Sequence, residues 1–217
     1  TPQSLRMSGE QRFKEGDGLR FSCETTNAAE LLVFSDRCQV YKARCADFDD
    51  GKASLLGDYL PTKLGFDEGE SFVWACIPGD YSGNLLFFFQ NGKAARVELS
   101  GYQTQTRRKR LTGAYSDKSP LVTAYLLREE MEMAVWSTEG RALIFHTASL
   151  APKATRSTQG VNIMTLKPKY RLEGAAPLSA TPIQNAARYR ARSLPVAGAL
   201  LREEDRGEEQ MSLMELS

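Results

Sequence analysis

The chain has 217 residues, of which 41% are hydrophobic and 25% are charged, and its formal net charge is +1 at pH 7. This composition is typical of a globular protein with a full core, and it excludes a disordered or fibrous chain. The longest apolar run, residues 85–89, is far too short to cross a bilayer and no basic-then-apolar leader opens the chain, so we expect a cytoplasmic protein without membrane contact.

Three segments with a shared layout follow one another along the chain and predict β-hairpins. Residues 30–48 (ELLVFSDRCQVYKARCADF), 84–102 (NLLFFFQNGKAARVELSGY) and 132–150 (EMAVWSTEGRALIFHTASL) each contain an apolar run, a polar turn and a second strand. Asn91-Gly92 is among the strongest short-range hairpin signals, because both central residues of a type I′ turn need positive φ. Glu139-Gly140 is a weaker signal, and the first turn has no glycine.

A further strand is predicted before each hairpin, with the sequences LRFSC (19–23), FVWAC (72–76) and LVTAY (121–125). A glycine in a polar or basic loop follows each turn, at Gly57, Gly113 or Gly160. The repeated unit is therefore about 50 residues long and all-β, which fits propeller-type blades packed face to face. In such blades the run LLFFF is an inner strand buried on both faces, so its aromatic residues belong to the core.

Charge is distributed unevenly along the chain. Acidic residues predominate over residues 47–80, whereas basic residues predominate over residues 93–110 and again over 141–192. A cluster of Lys and Arg is most often a solvated face, but the density of Arg107, Arg108, Lys109 and Arg110 also suits a polyanionic partner.

The cysteines and the one histidine argue against a metal site. Cys23, Cys38, Cys45 and Cys76 form no CxxC pair, and His146 stands alone, so too few soft ligands exist for zinc. We expect four reduced cysteines that pack in strands and react with thiol reagents only after unfolding.

Parts of the sequence resemble the C-terminal domain of bacterial type IIA DNA topoisomerase A subunits, those of DNA gyrase and of topoisomerase IV. The resemblance covers roughly residues 5–172 and is carried by ELLVFSDRCQVYKARCADFDDGKASLLGDYLPTKLGFDEGE (30–70), LTGAYSDKSPLV (111–122) and STEGRALIFHTASL (137–150). It implies an all-β fold, the β-pinwheel, a propeller variant in which neighbouring blades exchange a strand. About three to four blades are expected here, fewer than in complete pinwheels of the family.

We predict a partial β-pinwheel DNA-binding domain over residues 1–174, followed by a linker and acidic tail over 175–217, either disordered or forming a short basic helix over 183–194. The trailing strand VNIMTL (161–166) is expected to close the blades by pairing with the leading segment, residues 1–18. Two interpretations of the tail stay open: a plain solubilising segment, or a competitor of DNA for the basic loops.

The resemblance also implies where DNA binds. Gyrases carry a Gln-Arg-Arg-Gly-Gly-Lys-Gly box in one connecting loop, and YQTQTRRKRLTG (102–113) matches its position and charge but lacks the Gly-Gly pair. Side-chain contacts to phosphate are therefore expected in place of close backbone contacts, which favours a topoisomerase IV-like role. The candidate DNA-binding residues are Arg107, Arg108, Lys109, Arg110, Lys153, Arg156, Lys167, Lys169 and Arg171.

The predicted function is sequence-tolerant binding and bending of double-stranded DNA, which guides a DNA segment for strand passage, because no recognition helix or zinc finger reads base edges. We expect no catalytic site, metal or cofactor in this chain, since the family's enzyme takes its ATP and Mg²⁺ in other domains. The expected partners are DNA, the rest of the A subunit and the ATPase B subunit, in the bacterial cytoplasm and on the chromosome. The alternative is a propeller-type protein-interaction module with no DNA role.

Overall fold

The computed structural model describes residues 22–52, 55–106 and 108–207, and it confirms the all-β prediction with three four-stranded antiparallel sheets. The one α-helix in this part of the chain is α1 (Leu60–Leu64), and no helix there is long and apolar enough to span a bilayer. The strands are β1 Glu30–Ser35, β2 Gln39–Arg44, β3 Phe72–Cys76, β4 Asn84–Phe89, β5 Lys93–Glu98, β6 Arg110–Thr112, β7 Leu121–Leu127, β8 Glu132–Ser137, β9 Arg141–His146, β10 Val161–Asn162, β11 Leu172–Pro177 and β12 Ala199–Leu200.

All three predicted hairpins are confirmed, as β1–β2, β4–β5 and β8–β9. Each turn ends on a residue with positive φ: Cys38 at 55°, Gly92 at 83° and Gly140 at 79°. The first hairpin therefore makes the same kind of turn with a cysteine in place of the glycine, a conformation that side chains rarely adopt. A short 3₁₀ turn follows each hairpin, at Cys45–Asp47, Leu99–Tyr102 and Thr147–Ser149.

Each sheet, or blade, draws its strands from distant parts of the chain. The strand orders are β3-β1-β2-β6 in the first blade, β10-β5-β4-β7 in the second and β11-β8-β9-β12 in the third. In the first two blades, the strand that follows the hairpin (β3 or β7) pairs with the first strand of that hairpin. A short strand from beyond the next hairpin (β6 or β10) crosses back and pairs with the second strand of the hairpin. This crossing is the strand exchange that the resemblance implied.

The start of the trailing strand pairs within the second blade. Val161 and Asn162, the start of VNIMTL, lie opposite Ala94 and Lys93 of β5, so this strand belongs to the second blade. The expected pairing with residues 1–18 stays a prediction, because a strand has two edges and β5 occupies only one of them. Residues 1–18 themselves, and residues 19–21 of the predicted first strand, lie outside the described residues.

The cores lie between the blades. Between the first and second blades, Phe34 packs with Phe87 and Tyr102 in a cluster that also holds Leu85 and Phe89. Between the second and third blades, Leu86 and Phe88 meet residues of β8 and β9, including Met133 and Phe145. Successive residues of β4 thus face opposite blades, which confirms LLFFF as an inner strand and explains why the run is apolar throughout.

The outward face of the first blade is covered by the segment that follows α1. Phe66 packs on Tyr41 of β2 with ring centroids 4.6 Å apart. The buried carboxylate of Glu70 accepts hydrogen bonds from the Ser35 hydroxyl, the Gln39 amide at 3.1 Å and the Tyr41 hydroxyl at 2.7 Å. These bonds hold residues 66–70 against the sheet.

The outward face of the third blade is covered by residues that the sequence analysis assigned to a linker. β11 continues past residue 174, β12 pairs with β9, and Tyr189 and Leu201 are buried against Ala134, Ala142 and Ile144. The prediction of a linker and tail is therefore wrong for residues 175–207, and the expected helix is only a 3₁₀ turn, Ala186–Arg188. The physical reason is burial of scattered apolar side chains on an open sheet face. Residues 208–217 lie outside the described residues.

Only one of the four cysteines packs as predicted. Cys76 in β3 is buried, and burial raises the pKa of its thiol to about 12. Cys38 in the hairpin turn and Cys45 in the 3₁₀ turn are half-buried, and Cys23 is exposed in an irregular segment before β1. All four are free thiols, but the expectation that each lies in a strand is wrong.

The edge strands distinguish the inside of the stack from its outside. β7 lies against both β3 and β11, so these three strands line the inner side, as the innermost strands of propeller blades do. The opposite edges, which carry the short strands β6, β10 and β12, therefore lie on the outer side.

Candidate nucleic-acid interface

Three connecting segments run along the outer edge of the blades, one beside each second hairpin strand. The first loop (103–109) leads to β6, the second loop (151–160) leads to β10, and the third loop (181–198) leads to β12. Backbone hydrogen bonds of 2.8 to 3.0 Å fix Lys109 to β2, Lys153 to β5 and the residues flanking Arg190 to β9. Each loop thus brings a basic residue to the end of the strand that is remote from the hairpin turn.

The first loop presents two exposed cations above a small groove. Arg108 and Lys109 are exposed and form no ion pair within the described part of the chain. They border a groove of about 250 Å³ whose other lining residues include Lys42, Glu30 and Asp47. The side chain of Lys42 is only 7% exposed and lies 3.6 Å from Glu30, and burial lowers its pKa despite that carboxylate.

Arg110 has a different environment from Arg108 and Lys109. Its guanidinium Nη1 lies 3.0 Å from Oδ1 of Asp67, in the segment that covers the first blade. Hydrogen bonds from Gln39 and Arg110 lower the pKa of Asp67, so this carboxylate is ionised at neutral pH. Arg110 is therefore already paired although it is exposed, while Arg107 lies outside the described residues.

The second loop lies beside the first. Arg156 donates a 3.0 Å hydrogen bond to the carbonyl of Gly101 and lies over the Tyr102 ring at 5.9 Å, in the 3₁₀ turn from which the first loop starts. Lys153 is exposed and borders a groove of about 230 Å³ between the loop and β5. Arg156 therefore joins the second loop to the turn from which the first loop starts.

Lys167, Lys169 and Arg171 lie at the other end of the strands. Lys167 forms an ion pair with Glu139 in the third hairpin turn, and the backbone N–H of Arg171 donates to the Thr138 hydroxyl at 3.1 Å. A six-residue strand spans about 20 Å, so these residues are about that far from the loop positions of Lys109 and Lys153 along the strand direction. The structure therefore divides the predicted residues into two separate groups.

Sequence reasoning missed the basic residues of the third loop. Arg188, Arg190 and Arg192 are exposed, although the sequence analysis had placed them in a tail. The guanidinium of Arg190 binds Glu132 through two hydrogen bonds of 2.6 and 3.0 Å. The signal available in the sequence was Gly198, a glycine that follows a basic segment as Gly160 does; in the structure each of these glycines directly precedes a two-residue strand.

The buried tyrosines serve the fold. Tyr102 donates to the carbonyl of Ala114 and Tyr115 donates to that of Ser35, each at 2.5 Å. Burial raises the pKa of both phenols, so they stay protonated as hydrogen-bond donors. Within the described ranges, no group of three or more His, Cys, Asp or Glu side chains is placed to hold a metal ion.

Comparison with solved structures finds domains of one kind. The C-terminal domain of a DNA topoisomerase IV aligns with a TM-score of 0.76 and 20% identity, covering 91% of this chain and 67% of that one. The DNA gyrase A C-terminal domain aligns at 0.59 and 16%, covering 83% and 64%, and the E. coli ParC C-terminal domain aligns at 0.62 and 12%, covering 88% and 84%. The chain has the fold of these domains. No protein-family model and no curated protein matches its sequence.

The predicted β-pinwheel is thereby confirmed as the fold of this chain. The chain spans about two-thirds of the length of the first two matched domains, at 67% and 64%. On this pinwheel the outer edge is the surface that all three described blades share, because the outward faces of the first and third blades are covered by residues 66–70 and 178–201. The basic loops lie on that shared edge.

Proposed function

We propose that the chain is a DNA-binding domain of a bacterial type IIA topoisomerase A subunit, and that it binds duplex DNA through the loops on its outer edge. The observation that carries the proposal is that the connecting loop of each blade brings a basic residue beside the second hairpin strand: Lys109 beside Lys42, Lys153 beside Val97 and Arg190 beside Ile144. The fold supports it, because the matched domains come from a DNA topoisomerase and a DNA gyrase.

The spacing of the blades suits a duplex. Stacked sheets pack about 10 Å apart, and DNA carries one charge per ~1.7 Å of axis, so about six phosphate charges pass each blade. Lys and Arg side chains gain affinity by releasing the counterions condensed on those phosphates. Contacts of this kind carry no direct sequence information, so binding is sequence-tolerant.

Further parts of the proposal follow from the same surface. Blades that fan out from an inner edge present a curved outer edge, and DNA that follows it bends, which selects deformable segments and guides them for strand passage. Catalysis, ATP and Mg²⁺ belong to other parts of the enzyme, and the partners are the rest of the A subunit and the ATPase B subunit, in the cytoplasm on the chromosome. The first loop lacks the Gly-Gly pair, which favours a topoisomerase IV-like role.

The test compares two double variants that remove the same charge at opposite ends of the strands. Arg108→Ala/Lys109→Ala alters the first loop, Lys167→Ala/Lys169→Ala alters the hairpin-turn end, and Arg110 is kept because it pairs with Asp67. Fluorescence anisotropy follows binding of labelled duplexes of unrelated sequence over about 50 to 200 mM salt. With two fewer phosphates neutralised, the slope of log K against log salt should flatten by about 1.8.

The outcomes separate the two functions. We expect the first-loop variant to weaken binding to every duplex by a similar factor and the turn-end control to change it little, with circular dichroism showing both to be folded. A folded first-loop variant with the wild-type affinity and slope would remove this loop from the DNA surface. Equal losses of affinity in both variants would show either an effect of net charge or DNA contact at both ends of the strands, and would contradict a site confined to the loops. If the wild type bound no duplex, the protein-interaction module would take the place of this proposal.

A further inference from the structure

The third loop ends at β9 as the second loop ends at β5, although the two differ in length and sequence. A Cβ added at Gly160 would lie 2.2 Å from the carbonyl oxygen of Ala94, and one added at Gly198 would lie 2.5 Å from that of Ala142. Ala94 and Ala142 hold the same position in their hairpins, each opposite the fifth residue of the first strand. The two loops therefore approach equivalent strands at equivalent points.

The third loop also presents cations to solvent. Arg188 and Arg192 are exposed, and the side chain of Arg190 is 50% exposed. Arg190 uses its Nε and Nη2 groups to bind Glu132. A guanidinium has five N–H donors, so Arg190 keeps donors for a phosphate while the carboxylate holds it in place.

A buried carboxylate fixes the shape of this loop. Asp205 is 2% exposed and accepts hydrogen bonds from the backbone N–H groups of Gln184 and Asn185, at 2.7 and 3.2 Å, and from the Tyr189 hydroxyl at 2.6 Å. Burial by itself would raise the pKa of Asp205, but these hydrogen bonds lower it, so the group is ionised at neutral pH. The Tyr189 oxygen in turn accepts from the backbone N–H of Arg202 at 3.1 Å.

We propose that residues 181–198 form a third DNA-binding loop whose shape Asp205 maintains, so that residues 201–207 promote DNA binding instead of competing with it. The inference rests on the proposed function of the outer edge. The expected effect of Asp205 on DNA affinity is opposite to that of an acidic competitor, because the charge of Asp205 is directed inward to three donors of the loop. Glu204, the neighbouring acid, is about half-exposed and lies 3.8 Å from Arg202.

Two single variants with the same change of charge test whether Asp205 strengthens or weakens DNA binding. Asp205→Ala removes the three hydrogen bonds, whereas Glu204→Ala removes an exposed charge beside it. An acidic competitor predicts tighter DNA binding in both variants. Our proposal predicts that Glu204→Ala stays within about twofold of the wild type. It also predicts that Asp205→Ala weakens binding in 0.1 M salt by about eightfold for each phosphate that the loop no longer neutralises, given about 0.9 counterions per phosphate.

A double variant keeps the proposal testable if Asp205→Ala fails to fold. Arg188→Ala/Arg192→Ala removes the contact of Arg188 with the Tyr189 ring but leaves the hydrogen bonds of Asp205 and the Arg190–Glu132 pair, and it should flatten the salt slope by about 1.8. Wild-type affinity and slope in this folded variant, or equal tightening in Asp205→Ala and Glu204→Ala, would overturn the inference. If the first-loop variant weakened binding while this one did not, only the third loop would be excluded. Absence of DNA binding by the wild type would overturn both proposals.

Discussion

The close approach of Gly160 to β5 gives a graded prediction about how the second loop is positioned. Gly160 has a φ of 73°, and an added Cβ would lie 2.2 Å from the carbonyl oxygen of Ala94 and 2.6 Å from its carbon. These are backbone atoms of a paired strand, which cannot swing aside as a side chain can. In Gly160→Ala the loop itself must therefore move away from β5.

Two other glycines separate the cost of a positive φ from the cost of the close contact with Ala94. Gly113 has a φ of 59° with nothing within 4 Å of an added Cβ, and Gly57 lies outside the left-handed region, also with nothing within 4 Å. An alanine in the left-handed region costs about 1–2 kcal/mol, and overpacking adds about 1–3 kcal/mol. The free energy of unfolding should therefore decrease by about 0 kcal/mol in Gly57→Ala, by about 1–2 kcal/mol in Gly113→Ala and by about 2–5 kcal/mol in Gly160→Ala. Each alanine also restricts the unfolded chain, which offsets up to about 1 kcal/mol of these decreases.

Urea denaturation followed by circular dichroism measures the series, and anisotropy titrations measure its effect on DNA binding. Because Lys153 is fixed to β5 by the same loop, folded Gly160→Ala should also neutralise about one phosphate fewer, which flattens the salt slope by about 0.9. Equal destabilisation by Gly160→Ala and Gly113→Ala would show that the close approach to Ala94 does not exist. The equivalent approach of the second and third loops to their strands would then have no basis.

Two further predictions concern the core and the thiols. Phe87→Ala removes a fully buried ring that packs with Phe34 and Tyr115 between the first two blades, and it should lower the free energy of unfolding by about 3–5 kcal/mol in urea titrations; a decrease below about 1 kcal/mol would contradict this packing. A thiol reagent followed by mass spectrometry should modify Cys23 in the folded protein and Cys76 only after unfolding, since Cys76 is 4% exposed; rapid native labelling of Cys76 would show that β3 is not packed as described.

The hairpins could be predicted from sequence because each is a local structure. Its two strands and turn lie within a short segment, and Gly92 and Gly140 mark where the chain must reverse. Strand exchange could not be derived in this way. β6 is three residues long, and its pairing with β2 across the first blade depends on where the intervening blade packs, not on its own sequence. Only the resemblance to a known family supplied that feature.

The C-terminal segment was misjudged for a related reason. Its small and polar residues are typical of a linker, and Ile183, Tyr189 and Leu201 are too far apart to show a helical or strand period. They are buried because the third blade offers an open apolar face around Ala134 and Ala142. A sequence pattern records what a segment can form alone, whereas this segment is ordered by the surface on which it lies.

Only part of the candidate site could be predicted, because charge density along the chain does not show which cations are already paired. Arg108 and Arg110 are neighbours in the cluster, yet Arg110 binds Asp67 from a segment about forty residues earlier. Lys167 is likewise paired with Glu139 from the third hairpin turn. Such pairs form between distant segments, so only the structure shows which cations are already paired.

The crossing loops connect the architecture of the blades with the proposed function. A strand that returns to the preceding blade needs a connection along the outer edge, and that connection is fixed by backbone hydrogen bonds that leave the side chains of Lys109 and Lys153 in solvent. Charged side chains on these loops therefore stay in solvent. Burial of the same charges in the cores between the blades would be costly. The third loop reaches the same edge without a crossing, because Asp205 supplies from the C-terminal side the support that a neighbouring blade supplies elsewhere. The strand order of the blades therefore places an exposed loop on the outer edge of each one, and a basic residue in that loop is exposed without further change to the fold.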